Sequence, residues 1–313
     1  MYINKCSFVS VIGITRSNII KMKRSSFLKA GATVLLAPIA MKLQAFKNWV
    51  DEQPSSDVMP VMFVGHGSPM NAILRNEFNT KWGELGKQLP RPKAILSVSA
   101  HWLTRGTYVT AMEKPKTIHD FGGFPRELFE AQYPAPGAPD LAAETRKLIT
   151  STTVQDDHQW GLDHGTWSVL LPMYPEADIP VFQLSIDYYQ PPQYHYDLAK
   201  QLAELRKKGV LIMGSGNIVH NLRMIDFEGK RKFDWAEEFD SKISGFIDSG
   251  NHEAIINYQK LGSIADMAVP TNDHYLPLLY TLALQNKKDD IGFFNNKWDA
   301  GSISMRSLLI GKS

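Results

Sequence analysis

Residues 94–102 read Ala94-Ile95-Leu96-Ser97-Val98-Ser99-Ala100-His101-Trp102. A short, continuous apolar run of this kind marks a strand buried on both faces, as in a parallel sheet covered by helices. Runs of the same character occupy 60–64, 180–186 and 209–213, and with 94–100 they make four predicted strands. Helical periodicity lies between them. Over 196–206, Leu198, Ala199, Leu202 and Leu205 share one face while Lys200, Glu204 and Arg206 point outward. Strands alternating with helices predict an α/β fold, a single domain with a mostly parallel central sheet flanked by helices. Ligands of such sheets bind beyond the carboxyl ends of the strands, and there the chemistry of this sequence collects. The first run leads into Gly65-His66-Gly67-Ser68-Pro69, the second into His101-Trp102 and the third into Asp187. The fourth leads into Gly214-Ser215-Gly216-Asn217, followed by His220. A metal site at the C-terminal ends of the strands is the expectation.

Composition narrows the chemistry. The 313 residues are 43% hydrophobic, enough for a substantial core, and no internal repeat or low-complexity tract divides residues 59–313. A net charge of +2, from 34 basic and 32 acidic residues spread along the chain, lacks the basic stripe that nucleic acid requires. The single cysteine, Cys6, lies outside this domain, which excludes a disulfide framework and thiolate ligation. Any metal is left to His, Asp or Glu. Ser68, Ser99 and Ser215 lack the flanking glycines of a nucleophile elbow, and no phosphate-cradling or dinucleotide-binding glycine loop follows a strand.

Residues 1–58 have a different character. Lys21-Met22-Lys23-Arg24-Ser25-Ser26-Phe27-Leu28-Lys29 is basic, and the apolar run 30–41 after it is too short for a stable membrane span. This order is that of an export leader, and Arg24-Ser25-Ser26-Phe27-Leu28-Lys29 resembles a twin-arginine signal with Lys23 in place of the first arginine. Met22 is an alternative start, and 51–58 reads as a polar linker. Export to the periplasm is the expectation, a cytoplasmic protein the alternative if the leader does not function.

Nine histidines supply the donors. Gly65 and Gly67 let the backbone turn sharply at His66. His101 ends a strand, His220 falls in a loop or first helical turn after one, and His274 follows the N-cap cluster Thr271-Asn272-Asp273 at the start of a helix. Each has a plain structural alternative, as a turn residue or a half-buried residue bonded to backbone. The shared position after strands favours metal ligation, because imidazole is the commonest donor and no thiol competes. A second tier is His119, in the glycine-rich aromatic loop 118–125 that reads either as the cover of a pocket or as a packed surface loop, and His164, before the helix-like run 168–171, a loop residue able to face a substrate. His158, His195 and His252 sit in polar segments and read as solvated surface.

Seven motifs, in order, resemble the 4,5-DOPA-type extradiol dioxygenases of class III. They are Gly65-His66-Gly67-Ser68-Pro69-Met70, Ser99-Ala100-His101-Trp102, Ile118-His119-Asp120-Phe121-Gly122-Gly123-Phe124-Pro125, Tyr133-Pro134-Ala135-Pro136-Gly137, Asp163-His164-Gly165, Gly216-Asn217-Ile218-Val219-His220-Asn221-Leu222-Arg223 and His274-Tyr275-Leu276-Pro277-Leu278. The resemblance runs from residue 59 to the C-terminus. It implies that His66, His101 and His274 hold one divalent metal ion per subunit, Zn2+ or Fe2+, with His220 at or beside it. It also makes His164 and His220 the candidates for acid/base work, with His119, Trp102 and Phe124 as candidate substrate contacts. The implied partners are a small catecholic substrate and dioxygen, and nothing in the sequence sets an oligomeric state.

Zinc has no accessible redox chemistry, so ring cleavage implies iron. The usual non-haem iron triad contains a carboxylate. Matching His274 to its place leaves an all-histidine, more positive site, which leans toward zinc. Two rival readings stand beside the dioxygenase: a zinc-dependent hydrolase or lyase, and an exported protein that binds a metal or an aromatic without turnover.

Overall fold

The computed structural model describes residues 58–226, 228, 231 and 233–312; the leader, the alternative start and linker residues 51–57 lie outside the described residues. Six strands form the central sheet: β1 (Val61–Gly65), β2 (Ala94–Ser99), β3 (Val181–Gln183), β4 (Val210–Gly216), β5 (Asp289–Phe294) and β6 (Ser307–Lys312). Their order is β3-β2-β4-β1-β6-β5. The four expected strands are the parallel part, and β6 runs antiparallel to β1 with β5 antiparallel to β6. Every residue of β1, β2 and β4 is buried, the reason each reads as an unbroken apolar run.

Two strand limits shift. The run 180–186 is not one strand: after Gln183 the chain leaves the sheet, and Ile186–Asp187 pairs with Leu103–Thr104 in a separate two-stranded sheet. The fourth strand continues past 213 to Gly216. Its last glycines have a steric reason. A Cβ on Gly214 or Gly216 would collide with the backbone carbonyls of Pro277 and His274, so β4 lies directly against the segment that carries His274.

Helices α1 (Glu77–Gln88), α2 (His164–Met173), α3 (Pro192–Lys200), α4 (Ala203–Lys207), α5 (Asp234–Asp248) and α6 (Leu276–Leu282) cover the sheet. The predicted helix over 196–206 is broken between Lys200 and Ala203 into α3 and α4. Leu198, Ala199, Leu202 and Leu205 are all buried, as the periodicity requires. Arg206 is the exception on the outward face: it is buried, pairs with Asp289 at 2.8 Å and donates to the carbonyls of Met59 and Leu284, each at 2.7 Å. It clamps the start of β1 to the start of β5.

His195 is likewise no surface residue. Packing of α3 on α6 buries it completely, with Nδ1 2.9 Å from the Tyr280 hydroxyl. Burial lowers its pKa to about 4. His252 is half-buried between the Tyr196 hydroxyl at 2.7 Å and Gln285 Oε1 at 3.0 Å, and only His158 is exposed as expected.

Candidate functional site

His66 follows the last residue of β1 in a turn that only glycine permits. Gly67 has φ +57°, and a Cβ on Gly65 would lie 2.8 Å from the Met305 carbonyl carbon. The His66 Nδ1 is 2.9 Å from Ser215 Oγ, and that hydroxyl donates to the Gly165 carbonyl. Since the serine proton is used there, His66 Nδ1–H is the donor and Nε2 is left bare.

His101, two residues past β2, donates its backbone N–H to Ser99 Oγ at 3.2 Å and sets its Nδ1 3.2 Å from Asp120 Oδ2. His274 sets Nδ1 2.5 Å from Asp273 Oδ2. A carboxylate accepts only, so His274 Nδ1 carries the proton and its Nε2 is bare, and the Asp120 carboxylate beside His101 Nδ1 favours the same tautomer there.

The three rings converge. Each of His66, His101 and His274 brings a nitrogen into a set lying within 4.8 Å of one another. His66 Nε2 and His101 Nε2 are 3.1 Å apart. Two unprotonated nitrogens at that distance cannot hydrogen-bond to each other. Tetrahedral ligation with metal–nitrogen bonds of 2.0–2.1 Å spaces neighbouring nitrogens about 3.3 Å apart, so the pair has the spacing of two ligands sharing one ion. The donor set fits a divalent metal.

Electrostatics agrees. Burial, reinforced by the neighbouring histidines, holds the pKa values of His66 and His274 well below the usual imidazole range. Burial and then His164 lower His101 to about 4, against the opposing pull of Asp163, Asp120 and Asp273. All three are neutral near pH 7, the form that ligates. The negative charge that an all-histidine set lacks stands one step behind it, on Asp120 and Asp273. A carboxylate accepting from Nδ1–H raises the basicity of the ligating nitrogen. The three imidazoles are thus uncharged donors with two acids beside them.

A second group adjoins the first. The His164 ring centroid is 3.8 Å from that of His101. Asp163 caps α2, accepting from Thr166 N–H, and thereby fixes His164 as the first helical residue. Asp120 Oδ1 accepts the His164 backbone N–H at 2.9 Å and lies 3.0 Å from His164 Nδ1. Burial alone would raise the Asp120 pKa, but its contacts with His164 and His101 outweigh it and leave the carboxyl below its ordinary value.

The remaining predicted residues spread around this centre. His220 stacks on His274 with centroids 3.5 Å apart and planes 6° apart, outside the 4.8 Å donor set. Burial lowers its pKa to about 4. Phe121, not Phe124, is the ring that meets His164, at 5.5 Å; Phe124 packs on Phe121 at 5.4 Å. His119 contacts the Ala131 carbonyl through Nε2 at 2.9 Å and packs edge-on against Trp167. Trp102 is buried and stacks on Trp160. Sequence reasoning missed Asp120 and Asp273, although the dipeptides His119-Asp120 and Asp273-His274 carry the signal.

The sheet and the converging imidazoles are those of an α/β protein equipped to hold a divalent metal, and relatives place it more closely. The chain belongs to the family described as the catalytic LigB subunit of aromatic ring-opening dioxygenase, whose model matches residues 59–300. It is 45% identical over 264 residues to an Escherichia coli K12 protein named 4,5-DOPA dioxygenase extradiol, covering 82% of this chain and 96% of that one. A Beta vulgaris protein of the same name is 35% identical, over 80% and 96% of the two chains. The crystal structure of an uncharacterized Escherichia coli K12 protein superposes with a TM-score of 0.71 at 41% identity, covering 81% of this chain and all of that one. The protein is an extradiol ring-cleavage dioxygenase, with the family's single divalent metal, small aromatic substrate and dioxygen. No helix among the described residues is long and apolar enough to cross a membrane.

Proposed function

We propose that the substrate is a catechol of the DOPA type, opened beside its diol with both atoms of dioxygen incorporated into a muconic semialdehyde. In this reading Fe2+ is the working metal and His66, His101 and His274 hold it. The observation that carries the reading is the convergence of His66, His101 and His274, whose ligating nitrogens lie within 4.8 Å of one another, with a polar partner beside each Nδ1. Bound iron supplies a Lewis acid for the catechol oxygens and an electron relay to dioxygen, which zinc lacks.

The chain's own residues do the rest. His164 faces Asp120 with Nδ1, so Nε2 is the atom that takes the proton of a catechol hydroxyl, and the Asp120 carboxylate stabilises the imidazolium that results. Phe121, against His164, supplies an apolar wall for an aromatic ring and keeps water from the base. His220, parallel to His274, fixes that ligand's plane and offers a second acid/base group. Residues 21–41 support export by a twin-arginine-like leader, which a reporter fusion to residues 1–58 tests.

The test is oxygen uptake with L-DOPA and simple catechols, using protein purified without air and loaded separately with Fe2+ or Zn2+. Uptake and a yellow ring-opened product with iron alone are expected. Silence of both forms would overturn the reading in favour of hydrolysis or of binding without turnover.

A further inference from the structure

His101, Asp120 and His164 make a second donor group beside the first. Each brings one ligand atom into a set lying within 4.8 Å of one another. The three residues come from different parts of the fold: His101 from just past β2, Asp120 from the loop that carries Phe121, and His164 from the first position of α2. Asp120 Oδ2 is 3.2 Å from His101 Nδ1, and Asp120 Oδ1 is 3.0 Å from His164 Nδ1. Neighbouring ligands of a tetrahedral ion with bonds of 2.0–2.1 Å stand about 3.3 Å apart, so both separations are those of atoms able to share one ion.

The shorter of these contacts is not a hydrogen bond. His164 is 6% exposed, and its Nδ1 has no hydrogen-bond partner among the described residues. At His274 the arrangement differs, since Nδ1 there is bonded to Asp273 Oδ2 at 2.5 Å. A buried nitrogen left unsatisfied against a carboxylate oxygen costs free energy that a cation placed between the two would recover. Two imidazoles and one carboxylate suit zinc and its transition-metal neighbours; magnesium and calcium take oxygen donors instead.

The two groups share His101, whose Nε2 is turned to His66 and whose Nδ1 is turned to Asp120. An imidazolate in that position serves one ion on each side, its Nδ1 proton passing to solvent when the second ion binds. Asp163, Asp120 and Asp273 all act electrostatically on His101, and with the imidazolate these three carboxylates balance the charge of two divalent ions. We propose that His101, Asp120 and His164 form a second divalent-metal site, with a preference for zinc, joined to the first through His101. The proposal rests on these donors and not on the catechol reading. An ion held there engages both the proposed base His164 and its carboxylate, so excess zinc occupies them without displacing the first ion.

The experiment counts Zn2+ bound to the full-length metal-free protein, by equilibrium dialysis and by competition with a coloured chelator, for wild type, His164→Gln and Asp120→Asn. Wild type should bind two ions of unequal affinity. His164→Gln should keep the first within about tenfold and weaken the second by more than the roughly 100-fold that loss of an outer partner costs. Asp120→Asn should lose the second ion likewise and hold the first less tightly. One ion in wild type, or two in either variant, overturns the assignment. Cobalt repeats the count in wild type with a readout of proximity: ions that share His101 interact magnetically, so the EPR signal per ion should fall as the second enters, and two independent signals overturn the assignment. Neither count uses substrate or dioxygen, so a failure of ring cleavage leaves this result standing, and a single bound ion leaves the catechol reading standing.

Discussion

Gly165→Ala tests the packing that holds the centre together. Gly165 is the second residue of α2, where alanine in an open helix would gain about 0.5–1 kcal/mol over glycine. Here the methyl would lie 2.5 Å from Ser99 Oγ and 2.9 Å from His101 Cδ2. Comfortable contacts begin near ~3.5 Å, so the serine must yield by about 1 Å and the imidazole by roughly half that. Overpacking of this size costs about 1–3 kcal/mol, which overcomes the propensity gain and leaves the variant about 1–2 kcal/mol less stable. For a domain of this length the melting temperature should fall by roughly 2–8 °C. The displaced Ser99 also holds His101 N–H and Asp163, so His101 Nε2 moves off its partner nitrogen. Metal affinity should drop about 10–100-fold, as it does when ligand supports are lost. Thermal unfolding of the metal-free protein and competition with a coloured chelator measure the two effects. A rise in melting temperature with unchanged affinity would refute the argument.

Asp120→Asn should weaken metal binding about 10–100-fold, because an amide removes the negative charge that stands 3.2 Å from His101 Nδ1 and 3.0 Å from His164 Nδ1; the same chelator competition reads it. Arg206→Ala strands the buried Asp289 carboxylate and should cost about 3–5 kcal/mol, seen as a lower urea midpoint. His195 gives a pH signature. Its folded pKa of about 4 lies below the unfolded value near 6.5, so the unfolded chain binds the proton first. The stability due to neutral His195 is complete above about pH 6.5 and is lost as pH falls toward 4, by at most about 3 kcal/mol. Urea midpoints at pH 7 and pH 4.5 should therefore diverge more in wild type than in His195→Asn, and equal divergence would count against it.

What the sequence disclosed, and what it hid, follows from packing. The four parallel strands are buried on both faces, and such burial writes itself as uninterrupted Val, Ile and Leu. The antiparallel edge did not: β5, Asp289-Asp290-Ile291-Gly292-Phe293-Phe294, opens with two acids and shows no clean alternation. Its first acid is buried against Arg206, a pairing between residues far apart in the chain that no local period encodes. His195 was hidden likewise, since Gln193-Tyr194-His195-Tyr196-Asp197 is polar by composition and becomes interior only when α3 meets α6. At the site, position after strands pointed to His66, His101 and His220, whereas His274, which converges with the first two, stands at the start of a helix, and the carboxylates beside these rings needed coordinates. Asp163 sits beside His164 in sequence yet serves the helix end, and the acid facing His164 is Asp120, from another loop.

The convergence of His66, His101 and His274 also bears on how the chain assembles. The three residues come from the beginning, the early middle and the far end of the described domain, and no two lie within one local segment. An unfolded chain would have to close very long loops to offer them together, so an ion held by these three would have almost no affinity for partly folded forms. Each tenfold excess of metal over its dissociation constant then adds about 1.4 kcal/mol to the native state alone. Metal supply would accordingly set the lifetime of this protein against proteolysis, and starvation for the ion would lower its abundance before any kinetic defect in the surviving molecules was seen.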